Sequence, residues 1–336
     1  MSSSKPDVVV VCAWYNRADH IRDTVDSLLS QDFENFEVVI VNDGSTDPRV
    51  KEVLDSYQDS RLKIIHQENT GFVGAIRKAI ETSSAPFIAI QGAGDVSYKA
   101  RLREQYKVLV EDDSLCACGV AYVNAYISLE GVKYAEKTVN NSNRYVRKDF
   151  FSFNAFSHGD VMLRRESYER VGGYRYLFKY AQDRDLWLRI GLYGDFFIIN
   201  DVLYERRVFS KDGVSSSIDK KIVQAALSDM AVQAALFYDK YGYDFVSSLD
   251  EGALVFRRRS KKVARSLLRA ALIKLIRGDT SMSVDYAKMA FSERRSMLSM
   301  LVLVFCWVVS RMPYDIRLKI STGLVRFFNK KTSRYI

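Results

Sequence analysis

The stretch Val38-Val39-Ile40-Val41-Asn42-Asp43-Gly44-Ser45-Thr46-Asp47 decides how the rest of the chain is read. Consecutive β-branched aliphatic residues, with Phe36 just before them, form a strand buried on both faces, the habit of parallel strands covered by helices. A carboxylate, Asp43, follows, and Gly44 lets the backbone turn sharply behind it. Asp47 is expected to cap a helix with Pro48 at its first position, running to about Tyr57. A carboxylate just past the carboxyl end of a buried parallel strand stands where open α/β sheets bind ligands. Taken alone, the segment is equally a plain strand–turn–helix.

Working outward, Val8–Cys12 is another valine-rich run, and Asp19–Leu29 follows with Ile21, Val25, Leu28 and Leu29 at helical spacing. On the other side, Leu62–His66 reads as a strand, Val73–Thr82 as a helix and Phe87–Gln91 as a fourth strand. Strands alternating with helices predict a mostly parallel sheet joined by right-handed crossovers. Lys99–Asp113 then reads as a helix, Gly119–Ser128 and Asp160–Arg164 as strands, and Ala181–Leu192 as a helix. From Asp219 the strand signals stop. Ile222–Tyr241, Val263–Ile276, Ser283–Phe291 and Met297–Val309 read as successive helices. The expectation is an α/β domain over 1–215, with halves at about 7–97 and 98–215, and an all-helical region over 216–336 with the boundary near Ser215–Ser217.

A chain of 336 residues, 48% hydrophobic and 27% charged, accommodates one large domain and a smaller appendage. Met1–Pro6 has no apolar core, so no cleaved secretory signal is expected. Cys12, Cys116, Cys118 and Cys306 form no CxxC pair and find no Cys/His partners at zinc spacing, so they are expected as reduced thiols of a cytosolic protein. The net charge of +9 hides an asymmetry: residues 257–336 carry 19 Lys and Arg against 4 Asp and Glu, and residues 1–256 carry 31 against 37. Two parts of opposite sign point to two tasks.

Several spaced motifs resemble, in the right order, those of family-two glycosyltransferases of the GT-A (Rossmann-like) fold, over about residues 7–215. The resemblance implies that Ala13-Trp14-Tyr15-Asn16-Arg17 contacts a nucleotide, through Ala13, Tyr15 and Asn16, and that Asp43 holds its base or ribose. Asn69-Thr70-Gly71 also matches, placing Asn69 and Gly71 at the donor. The Asp-x-Asp element that holds a divalent ion on the donor diphosphate is replaced by Gly92-Ala93-Gly94, leaving Asp95 as the one following acid. Mg²⁺ or Mn²⁺ use through Asp95 is therefore in doubt, and close backbone approach at Gly92 and Gly94 offers another way to hold phosphates. The segment Gln182-Asp183-Arg184-Asp185-Leu186-Trp187 resembles the family's Glu-Asp-x-Asp-Leu-Trp, with Asp183 as general base and Asp185 and Trp187 on the acceptor side. From the residues themselves, both carboxylates read equally well as charges at a helix start. Gly172-Gly173-Tyr174 looks like the acceptor-side turn, and Arg207 matches the closing Arg-x-His arginine while Phe209 replaces its histidine. His158 is read as a packed, hydrogen-bonded residue rather than a ligand.

The resemblance thus implies inverting hexosyl transfer from a nucleotide sugar, UDP-linked by default, to a glycan or lipid-linked acceptor, of the kind used in bacterial polysaccharide biosynthesis. A catalytically silent binding or assembly subunit is the alternative. A dinucleotide oxidoreductase is disfavoured because no GxGxxG follows the first strand. The cluster Arg257-Arg258-Arg259-Ser260-Lys261-Lys262, with Arg265 and Arg269, opens a helix with an apolar stripe of Leu267, Leu268, Ala271, Leu272, Leu275 and Ile276. It predicts peripheral attachment of 257–336 to an anionic inner membrane face. A solvated helix face is the plain reading; no nucleic-acid module accompanies the charge, so nucleic acid is not an expected partner. The apolar run Ser296–Ser310 is about 22 Å long as a helix, which fits an in-plane or packed core helix before a span.

Overall fold

The computed structural model describes residues 5–128, 131–137, 142–209 and 217–332. The chain divides into two compact units, Met1–Lys211 and Asp212–Ile336. Of the expected boundary at Ser215–Ser217, Ser215 and Ser216 lie outside the described residues.

The first unit runs β1 (Val8–Trp14), α1 (Ile21–Leu29), β2 (Phe36–Asp43), α2 (Arg49–Asp55), β3 (Leu62–Gln67), α3 (Gly71–Glu81) and β4 (Phe87–Ile90). It continues with β5 (Val96–Ser97), α4 (Arg101–Glu111), β6 (Leu115–Ser128), β7 (Gly131–Lys137), β8 (Arg144–Tyr145), β9 (Met162–Arg164), α5 (Arg165–Arg170), α6 (Gln182–Ile190) and β10 (Asp195–Phe209). One mixed sheet has the order β3-β2-β1-β4-β9-β6-β10-β5, with β7 added to β6 and β8 to β10. β1 to β4 are mutually parallel, β9 is antiparallel to both neighbours, and β10 is parallel to β6.

Two features of this topology place the site. Because β1 to β4 share a direction, their carboxyl ends, Trp14, Asp43, Gln67 and Ile90, emerge on one edge. The chain also steps from β1 outward to β2 and β3 and then returns to β4 on the other side of β1. That reversal lies at the strand ends, the usual ligand position in an open α/β sheet. α1 covers the sheet with Ile21, Val25 and Leu28, all fully buried against residues such as Val8, Val10 and Val38. Each such side chain contributes about 1.5–3 kcal/mol. α2 begins at Arg49 with Pro48 at its N-cap, one residue later than the sequence reading, and Asp47 precedes the cap, accepting Arg49 N–H at 3.0 Å.

The second unit is helical: α7 (Ile218–Tyr241), α8 (Phe245–Leu249), α9 (Lys261–Ile276), α10 (Thr280–Glu293), α11 (Met297–Ser310) and α12 (Tyr314–Thr332). Its core joins Leu267, Ala271 and Leu275 of α9 to Val284 and Ala287 of α10 and to Cys306 and Val309 of α11. Ser260 caps α9, Asp279 caps α10, and Ser296 forms a reciprocal box with Ser299 on α11. Arg257, the first of the basic cluster, is held by Glu293 through two bonds of 2.7 Å. Among the described residues no helix is long and apolar enough to cross a membrane. All four cysteines are buried and unpaired.

Candidate active site

At the end of β2, Asp43 is almost wholly buried, and one oxygen, Oδ1, collects three donors. These are Thr70 N–H at 2.8 Å, Gln67 Nε2 at 2.8 Å and Thr70 Oγ1 at 3.1 Å. None of them reaches Oδ2. Asn69 Nδ2 donates to the Asp43 carbonyl at 2.8 Å, closing the β2 and β3 loops on each other. Gly44 makes this approach available: at φ +66°, a Cβ there would stand 2.6 Å from Asn69 N. Gly71, at φ +79°, starts α3 with open space where its side chain would be. Asn16 works from the β1 loop. Its Oδ1 accepts from the N–H groups of Thr46 (2.9 Å) and Asp47 (3.2 Å), and its own N–H donates to Ser45 Oγ at 2.8 Å. Asn16 therefore shapes the loop after β2, while Tyr15 beside it presents an exposed ring and Ala13 sits half-buried at the strand end.

The loop after β4 is built on glycine for steric reasons. A Cβ at Gly92 would collide with the Asp95 carboxylate, and one at Gly94, where φ is +93°, would lie 2.9 Å from the Phe209 ring. Asp95 does not face outward as a ligand. Its Oδ2 accepts from Tyr204 OH at 2.6 Å and its Oδ1 from Arg207 N–H at 2.7 Å, and burial pushes its carboxyl pKa up. Mg²⁺ and Mn²⁺ need hard oxygen donors, normally one or two carboxylates besides the substrate phosphates. Asp95, with both oxygens engaged, and two glycines do not fit such an ion. Among the described residues no group of three or more His, Cys, Asp or Glu could hold a metal.

The positive charge at this loop comes from Arg17, which the sequence reading did not single out. Its guanidinium donates to the Ala93 carbonyl at 2.8 Å and lies 4.3 Å from the centre of the Phe209 ring. Asn16 and Arg17 both adopt left-handed backbone, at φ +55° and +59°, a conformation held by these contacts. Arg207 is nearby, but its side chain is shared between Glu205 (2.9 Å) and Asp23 (2.5 Å). His20 packs on Phe209 with ring centres 4.8 Å apart.

Asp183 lies in the first turn of α6, half-buried, and accepts from Asn154 Nδ2 at 2.6 Å. His158 stands close to it: burial lowers the imidazole pKa, with the Asp183 charge opposing. His158 shares a hydrogen bond of 2.6 Å with Tyr174 OH and meets Phe72, at the start of α3, edge-on at 5.3 Å. The Asp43 cradle and His158 thus meet the start of α3, at Thr70 and at Phe72, and the His158 imidazole in turn feels the Asp183 charge. Contacts also link Asp95, through Tyr204, to Gly159 beside His158, since a Cβ at Gly159 would overlap the Tyr204 hydroxyl.

The expected acceptor residues sit differently. Asp185 is buried in ion pairs with Arg175 and with Arg189 (2.6 Å). Burial alone would raise its pKa, but Arg189 and Arg175 outweigh it and hold the carboxyl below the usual range. Trp187 and Tyr174 are fully buried and back the site instead of lining it. Gly172 and Gly173 form a left-handed turn; Gly173 is required because a Cβ would lie 2.5 Å from the Tyr168 ring. Arg77 of α3 donates to the carbonyl of Tyr174 at 2.5 Å and stacks 5.5 Å from the centre of the Tyr176 ring. Tyr176, largely exposed near Gly74, is a surface aromatic that spacing alone did not mark.

Comparison with known proteins agrees with this fold. A family model described as "Glycosyl transferase family 2" matches residues 8–172, a span that includes Asp43 and the glycine loop and ends before Asp183. An uncharacterized glycosyltransferase of Rickettsia prowazekii is 23% identical over 224 residues, covering 64% of this chain and 68% of the relative. Among solved structures, Staphylococcus aureus TarS 1–349 in complex with UDP-GlcNAc superposes with a TM-score of 0.54 at 15% identity, over 86% of this chain and 91% of that one. The mannosyltransferase PcManGT from Pyrobaculum calidifontis, in complex with GDP-Man and Mn²⁺, gives 0.53 at 16% identity, over 96% and 86%. Residues 8–172 thus match the glycosyl transferase family 2 model, and the chain shares the GT-A type of fold with these two solved structures.

Proposed function

We propose that the protein moves a sugar from a nucleoside diphosphate donor, a UDP-sugar by default, to a hydroxyl of a glycan or lipid-linked acceptor with inversion at the anomeric carbon. Asp43 offers Oδ2 to the ribose or base, and the exposed Tyr15 ring offers a stacking face beside it. The diphosphate lies across the β1 and β4 ends, against the Gly92–Gly94 backbone and Arg17. Arg207, already shared with two carboxylates, is the weaker cation.

Asp183 takes the acceptor hydroxyl proton as that oxygen attacks the anomeric carbon. The bond from that carbon to the phosphate oxygen breaks on the opposite face. The nucleoside diphosphate leaves with its negative charge stabilised by fixed guanidinium groups in place of a protein-bound ion. The observation that carries this reading is the placement of Asp43 and Thr70 at one end of α3, with Phe72 of that helix edge-on to His158, whose imidazole feels the Asp183 charge. UDP-GlcNAc and GDP-Man in the two similar structures support the donor class. The helical unit, strongly basic over 257–336, attaches the enzyme to the anionic cytoplasmic face of a membrane.

The test is turnover of nucleotide sugars with excess chelator, for the wild type and Asp183→Asn. The wild type should turn over, and Asp183→Asn should lose about 10²–10⁴-fold in rate while its melting temperature still rises with donor. Wild-type rates in the variant would remove Asp183 from the chemistry. Complete loss with chelator, restored by Mn²⁺ or Mg²⁺, would overturn the role given to the arginines. Donor binding without turnover in either protein would favour a silent binding subunit, the reading that the missing Asp-x-Asp carboxylates also allow.

A further inference from the structure

Helix α11 carries no charged residue from Met297 to Ser310 and is apolar all the way round. One stripe, Ser299, Cys306 and Val309, packs into the helical core. The opposite half faces solvent: Met297, Leu298, Leu301, Val304, Trp307 and Val308 are among its side chains that are 38–77% exposed. A helix that is apolar on every side belongs in surroundings that are apolar on every side, and a continuous exposed patch of this kind marks an interaction surface.

Two occupants fit an apolar face: a bilayer and a second copy of the chain. Charge separates them. Arg294 and Arg295 precede the helix and Arg311 follows it, all three exposed, within a segment, 257–336, of net charge +15. Apposing two such segments brings like charges together, whereas an anionic lipid surface complements them. Helical spacing puts Met297, Leu301, Val304 and Val308 on the row opposite the buried stripe and Trp307 at its flank. The Arg311 guanidinium lies 5.2 Å from the centre of the Trp307 ring, a pairing of aromatic and cation suited to the headgroup level. Fourteen residues make about 21 Å of helix, short of the roughly 30 Å hydrocarbon core, so the helix lies along the surface.

We propose that α11 inserts in the plane of an anionic bilayer. The Leu301–Val304 row lies among the acyl chains, Trp307 at the headgroup boundary, and Arg294, Arg295 and Arg311 on lipid phosphates. This rests on the peripheral attachment proposed above and adds the element, its depth and its orientation.

The chain supplies its own probe. Of its three tryptophans, Trp14 and Trp187 are fully buried and Trp307 is half-exposed. Full-length protein is mixed with phosphatidylcholine vesicles with and without phosphatidylglycerol, and with vesicles containing brominated acyl chains. With phosphatidylglycerol present, tryptophan emission should shift to shorter wavelength and be quenched by the brominated chains. Leu301→Asp and Val304→Asp should each weaken vesicle binding roughly tenfold or more, with an unchanged rise in melting temperature on adding donor. That unchanged rise separates a lost membrane surface from a lost fold or donor site. Vesicle binding without any change in tryptophan emission, or unaffected by the two variants, overturns insertion of α11 and leaves attachment to the basic residues alone. No binding to either vesicle overturns the attachment reading and the insertion with it. Concentration-dependent self-association that Leu301→Asp abolishes assigns the face to a second copy instead.

Discussion

Asp183 and Asp185 are two residues apart at the start of one helix, and their surroundings give them different tasks. Asp183 has one amide donor and lies half-buried beside His158; Asp185 is enclosed by Arg175 and Arg189. Removing one partner of a buried ion pair leaves the others charged and undersolvated. Asp185→Asn should therefore cost about 3–5 kcal/mol of stability, read by denaturant unfolding, whereas Asp183→Asn should cost less than about 1 kcal/mol. Equal losses in the two variants would contradict this division. The sequence could not separate the pair, because both acids suit a helix start equally well. The arginines that decide the matter come from ten residues upstream and one helical turn downstream.

At the scale of elements, strands β1, β2 and β4 were legible because both faces are covered and their aliphatic runs do not alternate, whereas the edge strand β3, with Lys63 exposed, was marked by Ile64 and Ile65 and by the helices on either side of it. β10 was not read as a strand; only Arg207 and Phe209 near its end were matched to a motif. Polar Asn200 and Asp201 interrupt it, and the register against β6 slips between Ile199 and Val202 and again before Tyr204. The short strands β5 and β8 are held by partners distant in sequence, which a local pattern does not reveal. The turn after β2 makes a prediction at this scale. At Gly44 the obstruction is backbone, Asn69 N at 2.6 Å, which cannot rotate away, and φ is +66°. Gly44→Ala should cost about 1–3 kcal/mol and weaken donor binding, by calorimetric titration with UDP-sugar. Gly71→Ala should cost only the backbone preference, about 1–2 kcal/mol, since nothing lies within 4 Å of its Cβ position. Equal donor affinity in Gly44→Ala and wild type would show that the Asp43–Asn69 closure does not shape the site.

On the scale of the whole molecule, the opposite charges of the two parts and the end of strand signals near Asp219 made two units legible. What the basic unit meets was not, because a basic helical face looks the same in sequence whether it meets water or lipid. Each unit has its own buried core, the Val8–Val38 sheet and the Leu267–Ala287 helices. Scanning calorimetry should resolve two transitions, and saturating donor should raise only the one belonging to 1–211. Ligand at a hundred times its Kd adds about 2.7 kcal/mol to the unit that binds it. A single transition that moves as a whole would refute independent cores.

Gly94 and Phe209 carry a consequence for how such a chain could change over time. The ring occupies the volume that any side chain at position 94 would need, and it also supports the Arg17 guanidinium. An aspartate placed at 94 meets that ring, and a smaller residue placed first at 209 leaves Arg17 without its platform. Neither single step is an improvement on its own, so a carboxylate at 94 requires change at both places together: one glycine and one phenyl ring hold each other in place.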